Sequence, residues 1–351
     1  MTYSAGVIGC GNAGTVHAEV LDANPDTELV GVCDPVERNR KKLSDRFSVP
    51  GFEDVDQLLD EQNPDGVHIC SPVQTHASIA TDTIESGFPT LIEKPLATTV
   101  SEAEDIIEAS DNQGVTASTV HNRLYSDRLI EARRRVARGE IGDLIAVDFI
   151  SSTQADLSEA TRGDWVFDLP GGELGETLPH HAYLTLAFTD RLGNINGTSV
   201  QNSRKYKEVD LDGFSMTATD SSGDVLLTLR ALTNSSERYD LTAYGTEGIM
   251  RIDLRHTPGI YVTRTEGFSP KVVIKNFLSD GAQLSKNLLD LVVEQVKDMR
   301  SDEDEAIKTN LGHYRVIDKF SNAVVSNASV PVTLDEGLDT IRILEALEEA
   351  E

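Results

Sequence analysis

The sequence contains little cysteine and no long apolar segment, and both absences restrict the class of protein. The three cysteines, Cys10, Cys33 and Cys70, are too few for a disulfide framework and lack the spacing of metal ligands. No apolar run approaches the roughly 18–20 residues that a membrane-spanning helix requires. The first motif begins at Gly9, which leaves no room for a signal peptide ahead of it. We therefore expect a cytoplasmic protein with reduced, buried cysteines.

Basic and aromatic residues are also scarce. Lysine and arginine number 31 against 59 aspartates and glutamates, which gives a net charge of −28, and aromatic residues make up 5% of the chain. This composition predicts adaptation to a salt-rich cytoplasm, where the Debye length falls to about 3 Å at 1 M salt and repulsion between like charges is screened. An ordinary acidic protein is the alternative. The charge argues against nucleic acid or anionic membranes as partners.

What the sequence does contain begins with three closely spaced glycines. A short apolar run ends at Ile8, Gly9, Gly11 and Gly14 follow, and a helical pattern leads to a second apolar run that stops at Asp34. In such a unit the first glycine permits the turn, the second lets a pyrophosphate approach the backbone, and the third lets helix and strand pack closely. Asp34 lies 34 − 14 = 20 residues past the last glycine, where an acidic residue meets the ribose hydroxyls of a dinucleotide. The unit therefore predicts a dinucleotide site.

Asp34 also bears on the choice of cofactor. A carboxylate beside the ribose favours NAD, because it would repel the 2′-phosphate of NADP. Arg38 and Arg40 lie close enough in the sequence to allow NADP as well. The residues predicted to bind the cofactor are Gly9, Gly11, Asn12, Ala13, Gly14, Asp34, Arg38, Ser71, Pro72, His76, Glu93 and Lys94.

Strand and helix patterns alternate as far as residue 121. Polar residues follow the strands of this part at Asp34, at residues 71–76 and at Lys94. The alternation predicts a doubly wound parallel sheet, and ligands bind such sheets at the carboxyl ends of their strands. Residues 1–121 are therefore predicted to form a dinucleotide-binding domain.

Beyond residue 121 the pattern changes to longer strands with alternating apolar residues. Strands are predicted at 145–151, 213–219, 225–231, 239–244, 250–253 and 260–264, and helices at 175–188, 284–299, 313–326 and 336–348. The pattern is typical of an α+β domain with a large, open, mainly antiparallel sheet. We predict that residues 122–351 bind the substrate and that the open sheet forms the interface of a homodimer or homotetramer. The C-terminal helices are expected to pack back toward the first domain.

Four further motifs follow the glycine-rich stretch in a fixed order. They are Ser71-Pro72 with His76 four residues after the proline, Glu93-Lys94-Pro95, Asn122-Arg123, and Gly171-Gly172 ahead of an acidic residue and a histidine. Over nearly the whole chain this order resembles the glucose-fructose oxidoreductase / inositol dehydrogenase (Gfo/Idh/MocA) family of sugar and cyclitol dehydrogenases. The resemblance implies an N-terminal Rossmann domain, NAD or NADP as cofactor, a sugar or polyol substrate and no metal.

The resemblance also implies site residues. In that family the lysine of Glu-Lys-Pro orients the reacting hydroxyl, and an aspartate and a histidine four residues later flank the same carbon. The matching positions are Lys94, Glu176 and His180, so that glutamate replaces the aspartate. His181 adjoins His180, and a shift of one residue in the alignment would exchange their roles, although the i, i+4 spacing from Glu176 favours His180. Tyr183 stands where the family often has a second aspartate. The residues predicted to line a polyol pocket are Asn122, Arg123, Trp165, His181 and Tyr183.

The chemistry of alcohol oxidation requires the same residue types. Hydride goes to the nicotinamide while a base removes the hydroxyl proton, and histidine, with a reference pKa near 6.5, suits that role near neutral pH. Lysine can stabilise the developing alkoxide charge. The alternatives are a cofactor-dependent sensor without turnover, an imine or enone reductase, and a metal site formed by His121, His180, His181 and Glu176. The presence of both Lys94 and His180 favours the dehydrogenase.

Overall fold

The structure is a computed structural model that describes residues 2–153, 172–201, 213–233, 235–255, 259–264, 269–300 and 305–350. The chain divides into two compact units. The first comprises Met1–Tyr125 and Asp302–Arg342, and the second comprises Ser126–Ser301 and Ile343–Glu351.

The first unit is built on a six-stranded parallel sheet. Its strands are β1 (Tyr3–Ile8), β2 (Thr27–Cys33), β3 (Gly51–Phe52), β4 (Gly66–Ile69), β5 (Thr90–Ile92) and β6 (Ala117–Thr119), in the order β3-β2-β1-β4-β5-β6. The helices that alternate with them are α1 (Asn12–Ala23), α2 (Glu37–Phe47), α3 (Val55–Gln62), α4 (His76–Glu85) and α5 (Val100–Gln113). Strand order reverses between β1 and β4, which is where dinucleotides bind to such sheets. The predicted doubly wound parallel sheet is confirmed.

Residues from the end of the chain complete the first unit. They form α9 (Glu305–Thr309), α10 (Leu311–Ser326) and the start of α11 (Leu334–Glu348). Phe320 of α10 is fully buried and meets the ring of Tyr3 edge to face at 6.2 Å. The guanidinium of Arg315 donates a hydrogen bond to the carbonyl oxygen of Tyr125 at 2.7 Å. The hydroxyl of Ser118 donates one to the carbonyl oxygen of Val332 at 2.6 Å. This segment therefore contributes both apolar core and hydrogen bonds to the sheet domain.

The second unit is built on a seven-stranded sheet. Its strands are β7 (Leu144–Ser152), β8 (Leu192–Gln201), β9 (Gly213–Asp220), β10 (Leu226–Leu232), β11 (Arg238–Gly245), β12 (Ile249–Asp253) and β13 (Gly259–Thr263), in the order β13-β12-β11-β7-β10-β9-β8. All neighbouring strands are antiparallel except β7 and β10. The predicted mainly antiparallel sheet is confirmed.

Helices pack on one face of this sheet and along its edge strand, β13. The unit contains α6 (Asp127–Ala137), α7 (Gly172–Thr185) and α8 (Pro270–Arg300), and α7 packs on β7 and β10. Along the central strands, buried residues alternate with less buried ones. Phe149, Leu229 and Leu241 are among the buried residues. Within the described part of the chain, no helix combines the length and the apolar character needed to cross a membrane.

The largest differences from the sequence-based expectations concern three elements. Helix α8 begins at Pro270, fourteen residues before the predicted start at residue 284. Helix α7 spans Gly172–Thr185 rather than residues 175–188. Strand β8 was not predicted, because its sequence, LGNINGTSVQ, is rich in glycine and asparagine, which favour turns. It is a strand because it pairs along its length with β9.

Candidate active site

The three glycines meet three different requirements of the loop between β1 and α1. Gly9 has a φ of +95°, and a side chain there would collide with the backbone of Cys70 and Ser71. A Cβ at Gly14 would collide with the carbonyl oxygen of Gly9. A Cβ at Gly11, in contrast, would meet no atom within 4 Å. The loop therefore packs tightly on two sides and leaves open space at its middle glycine, as a site for a pyrophosphate requires.

Helix α1 starts directly after this open position, at Asn12 and Ala13. No side chain caps its first turn, so its N–H groups can bind an anion. Asn12, Ala13 and the three glycines thus fit the phosphates of a dinucleotide.

Asp34 ties the end of β2 to the glycine-rich loop. Its Oδ2 accepts a hydrogen bond from the backbone N–H of Cys10, and its Oδ1 accepts one from that of Val36, both at 2.8 Å. Each oxygen keeps a lone pair, so the carboxylate can still accept a ribose hydroxyl. The guanidinium of Arg40 donates to the backbone oxygen of Asp34 at 2.5 Å, whereas Arg38 is exposed. These positions fit a dinucleotide with a free ribose diol.

The loop after β4 is held by His76. Ser71 and Pro72 precede a short 3-10 helix, Val73–Thr75, and α4 then begins at His76. The two ring nitrogens of His76 lie 2.9 Å from the carbonyl oxygens of Ser71 and Pro95. Burial lowers the pKa of His76, although these carbonyls favour the charged ring. The ring thus links the loop after β4 to the Glu-Lys-Pro motif.

Glu93 is the first residue of that motif, and its buried carboxylate is surrounded by N–H groups that donate hydrogen bonds to it. Its side chain is 7% exposed, and Oε1 lies 3.1 Å from Nε2 of His17 and 3.4 Å from Nε2 of His313. Oε2 accepts a hydrogen bond from the backbone N–H of Lys94 at 2.9 Å. The carboxylate therefore fixes the backbone of Lys94, for which a catalytic role is predicted.

The contacts continue on both sides of Glu93. Nδ1 of His17 lies 3.0 Å from Nδ1 of His68, whose Nε2 lies 3.3 Å from the hydroxyl of Tyr3. On the other side, the amide nitrogen of Asn122 lies 3.4 Å from Nδ1 of His313. We call Tyr3, His68, His17, Glu93, His313 and Asn122 the Glu93 network.

One proton arrangement satisfies the whole Glu93 network. An ionised carboxylate only accepts, so Nε2 of both His17 and His313 must carry a hydrogen. Nδ1 of His17 then accepts from His68, and Nε2 of His68 accepts from the hydroxyl of Tyr3. Burial lowers the pKa of His17 and of His68 and raises that of Tyr3, which keeps all three neutral. Burial alone would raise the pKa of Glu93, but the bonds from the two histidines hold it well below its ordinary value.

His17, Glu93 and His313 could also be considered as metal ligands. Each offers one ligand atom, and these atoms lie within 4.8 Å of one another. Two imidazoles and a carboxylate form a donor set that binds zinc. Because every nitrogen of the group already has a hydrogen-bond partner, we interpret it as a network that fixes Glu93. No motif in the sequence indicated this group, because its members are far apart in the chain. It involves none of the residues considered for a metal site above.

His180 and His181 are neighbours on α7 with different surroundings. Nδ1 of His180 lies 2.6 Å from the hydroxyl of Tyr183, and both side chains are buried. The ring of His181 lies 5.2 Å from that of Phe149 and 5.7 Å from that of Tyr239, on the covered face of the second sheet. Tyr183, predicted to contact substrate, is thus a hydrogen-bond partner of His180.

The remaining predicted residues lie in both units. Lys94 is half-buried after β5, and Asn122 and Arg123 lie in a 3-10 helix of the first unit, Asn122–Tyr125. Glu176 is on α7, four residues before His180. Trp165 lies outside the described residues. The described contacts thus join Lys94, Glu93 and Asn122 through the Glu93 network, and His180 to Tyr183.

Comparison with known proteins supports the interpretation of the first unit as a dinucleotide-binding domain. Residues 3–121 match the model of an oxidoreductase family with an NAD-binding Rossmann fold. The chain is 28% identical over 138 residues to myo-inositol 2-dehydrogenase of Thermotoga maritima, which covers 39% of this chain and 41% of that protein. It is 26% identical over 269 residues to scyllo-inositol 2-dehydrogenase (NAD(+)) of Bacillus subtilis, covering 71% and 74%. The chain spans about half or less of the length of the first curated relatives it matches.

Solved structures agree on the fold. The WlbA dehydrogenase from Bordetella pertussis, in complex with NADH and UDP-GlcNAcA, superimposes with a TM-score of 0.75 at 16% identity and covers 100% of this chain and 96% of that one. At this identity the likeness concerns the fold alone. The family match and the inositol dehydrogenases among the relatives support the Gfo/Idh/MocA family of oxidoreductases, and residues 3–121 carry that family's NAD-binding Rossmann domain.

Proposed function

We propose that this oxidoreductase is a dehydrogenase that transfers hydride between the nicotinamide of NAD and a hydroxyl-bearing carbon of a sugar, sugar derivative or cyclitol. The observation that carries the proposal is the placement of Lys94 directly after the buried carboxylate of Glu93, which binds its backbone N–H at 2.9 Å. A residue fixed in this way is suited to orient a substrate hydroxyl. The inositol dehydrogenases among the relatives support the substrate class.

The roles of the side chains follow from the chemistry. When bound, the nicotinamide accepts the hydride. Lys94 donates a hydrogen bond to the substrate oxygen and stabilises its developing negative charge. His180 removes the hydroxyl proton. For Nε2 of His180 to accept that proton, Nδ1 must carry a hydrogen and donate it to the hydroxyl oxygen of Tyr183 at 2.6 Å. Glu176 is proposed to stabilise the resulting imidazolium.

The residues around the ribose favour NAD over NADP. The carboxylate of Asp34 would repel a 2′-phosphate. Arg40 is already engaged with the backbone of Asp34, and its guanidinium lies 3.4 Å from the carboxylate of Glu53. Arg38, which is exposed, is the residue through which NADP would be accepted.

The enzyme is further proposed to be cytoplasmic, to work in high salt and to assemble as a homodimer or homotetramer. Its three cysteines are buried and unpaired with one another, as expected in a reducing compartment. The net charge of −28 supports a salt-rich environment.

The test is the absorbance of reduced nicotinamide during incubation with sugars, sugar acids, nucleotide sugars and inositols. NAD and NADP are compared at about 2–3 M KCl, so that charge repulsion is screened. We expect turnover with one polyol class, preferentially with NAD, and its loss in Lys94→Ala and His180→Ala. Cofactor binding without turnover across the panel would contradict the proposal and indicate a sensor.

A further inference from the structure

Helix α8 presents polar side chains to the protein and apolar side chains to solvent. The amide of Gln283 accepts from the backbone N–H of Val262 at 2.6 Å and donates to its carbonyl oxygen at 2.9 Å. The amide of Asn287 donates to the carbonyl oxygen of Ile260 at 3.3 Å. These two amides occupy backbone groups of β13, an edge strand whose free groups would otherwise be open to pairing. The side of α8 that contacts β13 is therefore held by polar side chains.

The opposite side of α8 is a continuous apolar surface. Its members are each between 45% and 77% exposed, and they are Val273, Ile274, Phe277, Leu278, Leu284, Leu288, Leu289, Val292 and Val293. At about 100° per residue they spread over about 200° of the helix, centred opposite Gln283 and Asn287. We call these nine residues the α8 stripe. They are nine of the fourteen large hydrophobic residues that are exposed in the described part of the chain.

The area of the α8 stripe matches the apolar part of a stable protein interface. Burying a side chain of this size removes on the order of 60–120 Å² of apolar surface from water, so nine such side chains, about 60% exposed, offer on the order of 500 Å². A standard interface buries about 800 Å² on each partner, of which about 65% is apolar at its core. Single exposed hydrophobic residues are ordinary on monomers, but a patch of this size marks a binding surface.

The charge of α8 indicates what binds there. Residues 270–293 contain Lys271, Lys275 and Lys286 against Asp280 and Asp290, a net of 3 − 2 = +1, whereas the whole chain carries −28. Salt screens the repulsion between separate copies of so acidic a chain, but like charges brought within the Debye length of about 3 Å still repel at most of the surface. The copies can approach at α8, because interface cores are depleted of charge and the α8 stripe contains none. Anionic lipid, the other partner of an amphipathic helix, is attracted by clusters of basic residues, and a net of +1 on this helix provides no such cluster.

We propose that the α8 stripe is the surface through which two copies of this chain associate. A two-fold contact pairs the same surface of both copies. The 31 residues of α8 extend over roughly 46 Å, which is long enough for an antiparallel helix pair. The assignment is independent of the substrate and of the reaction.

The test is the molar mass by light scattering after size exclusion, at about 2 M KCl and without cofactor. Phe277→Asp and Leu288→Asp place a charge in the α8 stripe, and Val36→Asp places one directly before α2, where Val36 is 52% exposed. Leu226→Asp alters an exposed residue of the second sheet, the surface expected from the sequence to form the interface. We expect an assembly of two or more copies that Phe277→Asp and Leu288→Asp dissociate, with a dissociation constant raised by at least about 30-fold, and that Val36→Asp leaves intact.

Circular dichroism distinguishes dissociation from unfolding, since the substituted residues are exposed and the subunit is expected to stay folded. A monomeric wild-type protein would overturn the proposal, as would an unchanged mass in both α8 variants. Loss of assembly in Leu226→Asp alone would assign the interface to the sheet instead. Flotation of the wild-type protein with vesicles rich in anionic lipid, abolished by Phe277→Asp, would assign the α8 stripe to a membrane surface.

Discussion

The carboxylate of Glu93 lies 3.1 Å from Nε2 of His17, and this contact joins the helix after the glycine-rich loop to the Glu-Lys-Pro motif. Both side chains are buried, with exposures of 7% and 0%. A buried carboxylate is costly unless it is hydrogen-bonded, and Glu93 meets this requirement through His17, His313 and the backbone of Lys94. The cofactor loop and the proposed catalytic lysine thereby share one hydrogen-bonded network.

Substitution of His313 tests the contribution of this network. His313→Leu removes one N–H donor from the buried carboxylate, and we expect the free energy of unfolding to fall by about 1–3 kcal/mol. His313→Gln keeps an N–H donor and should recover most of the loss. Urea unfolding measures the free energy, and the turnover assay shows whether Lys94 is affected as well. Equal losses in both variants would show that the ring acts through packing alone.

The glycine-rich loop gives a matched pair of variants. Gly11 has a φ of −77°, which alanine adopts freely, and a Cβ there meets no atom within 4 Å. Gly11→Ala should therefore leave the free energy of unfolding within about 0.5 kcal/mol and weaken NAD binding by at least about tenfold, because the added methyl fills the space for the pyrophosphate. In Gly14→Ala the collision with Gly9 should lower stability by about 1–3 kcal/mol. Thermal unfolding and calorimetric titration with NAD measure the two effects. Unchanged NAD affinity in Gly11→Ala would place the phosphates elsewhere.

Stability should fall as the pH is lowered below about 6.5, where histidines of the unfolded chain become protonated. Burial lowers the pKa of four histidines in the folded chain, His17, His68, His76 and His121, the last to about 3. The unfolded state then binds protons that the folded state does not, so each contributes a loss of up to about 1.4 kcal/mol per pH unit. Glu93, whose pKa is also lowered, adds a loss in the same direction below about pH 4.3.

Urea unfolding at several pH values measures this dependence, at about 2 M KCl to screen the repulsion between carboxylates. His121→Asn removes one titrating group. The slope of the free energy of unfolding against pH should then fall by the contribution of one bound proton, about 1.4 kcal/mol per pH unit. A slope that does not change in this variant would show that His121 titrates alike in the folded and unfolded chain.

Replacement of the two adjacent histidines distinguishes their roles. His180→Ala should lower turnover by roughly 10²–10⁴-fold, the range for a lost general base. His181→Ala should lower turnover less and stability more, because its ring packs against Phe149 and Tyr239. Steady-state kinetics and thermal unfolding of both variants provide the comparison. A larger loss of turnover in His181→Ala would exchange the two roles.

Tyr183→Phe tests whether the tyrosine hydroxyl positions His180. Removing the hydroxyl leaves Nδ1 of His180 without the bond at 2.6 Å, and loss of a hydrogen bond of about 1–1.5 kcal/mol corresponds to a fall in kcat of about tenfold. KM should stay near its wild-type value, because Tyr183 is 1% exposed. A rise in KM with unchanged kcat would instead support the predicted contact between Tyr183 and the substrate.

The parallel sheet could be predicted because its signals are local. Strands such as β1 and β4 are short apolar runs, and the helices between them follow at regular spacing. Strand β8 lacked such a signal, since its residues favour turns and only the pairing with β9 makes it extended. The N-terminal half of α8 was missed although its apolar residues recur at helical spacing. Ser279 and Gly281 interrupt that pattern, and both residue types favour turns.

By itself, the sequence determined the dinucleotide loop. The turn, the close packing of helix on strand and the anion site all depend on residues within some thirty positions of Gly9. Glycine is required at Gly9 itself by the positive φ and by the close contact with the neighbouring backbone. Only the tertiary structure decided which groups surround Glu93, because His17 and His313 contact it from separate helices and His68 reaches it only through His17. It also decided which side of α8 faces solvent, since hydrophobic periodicity predicts an amphipathic helix but not the element that its polar side will contact.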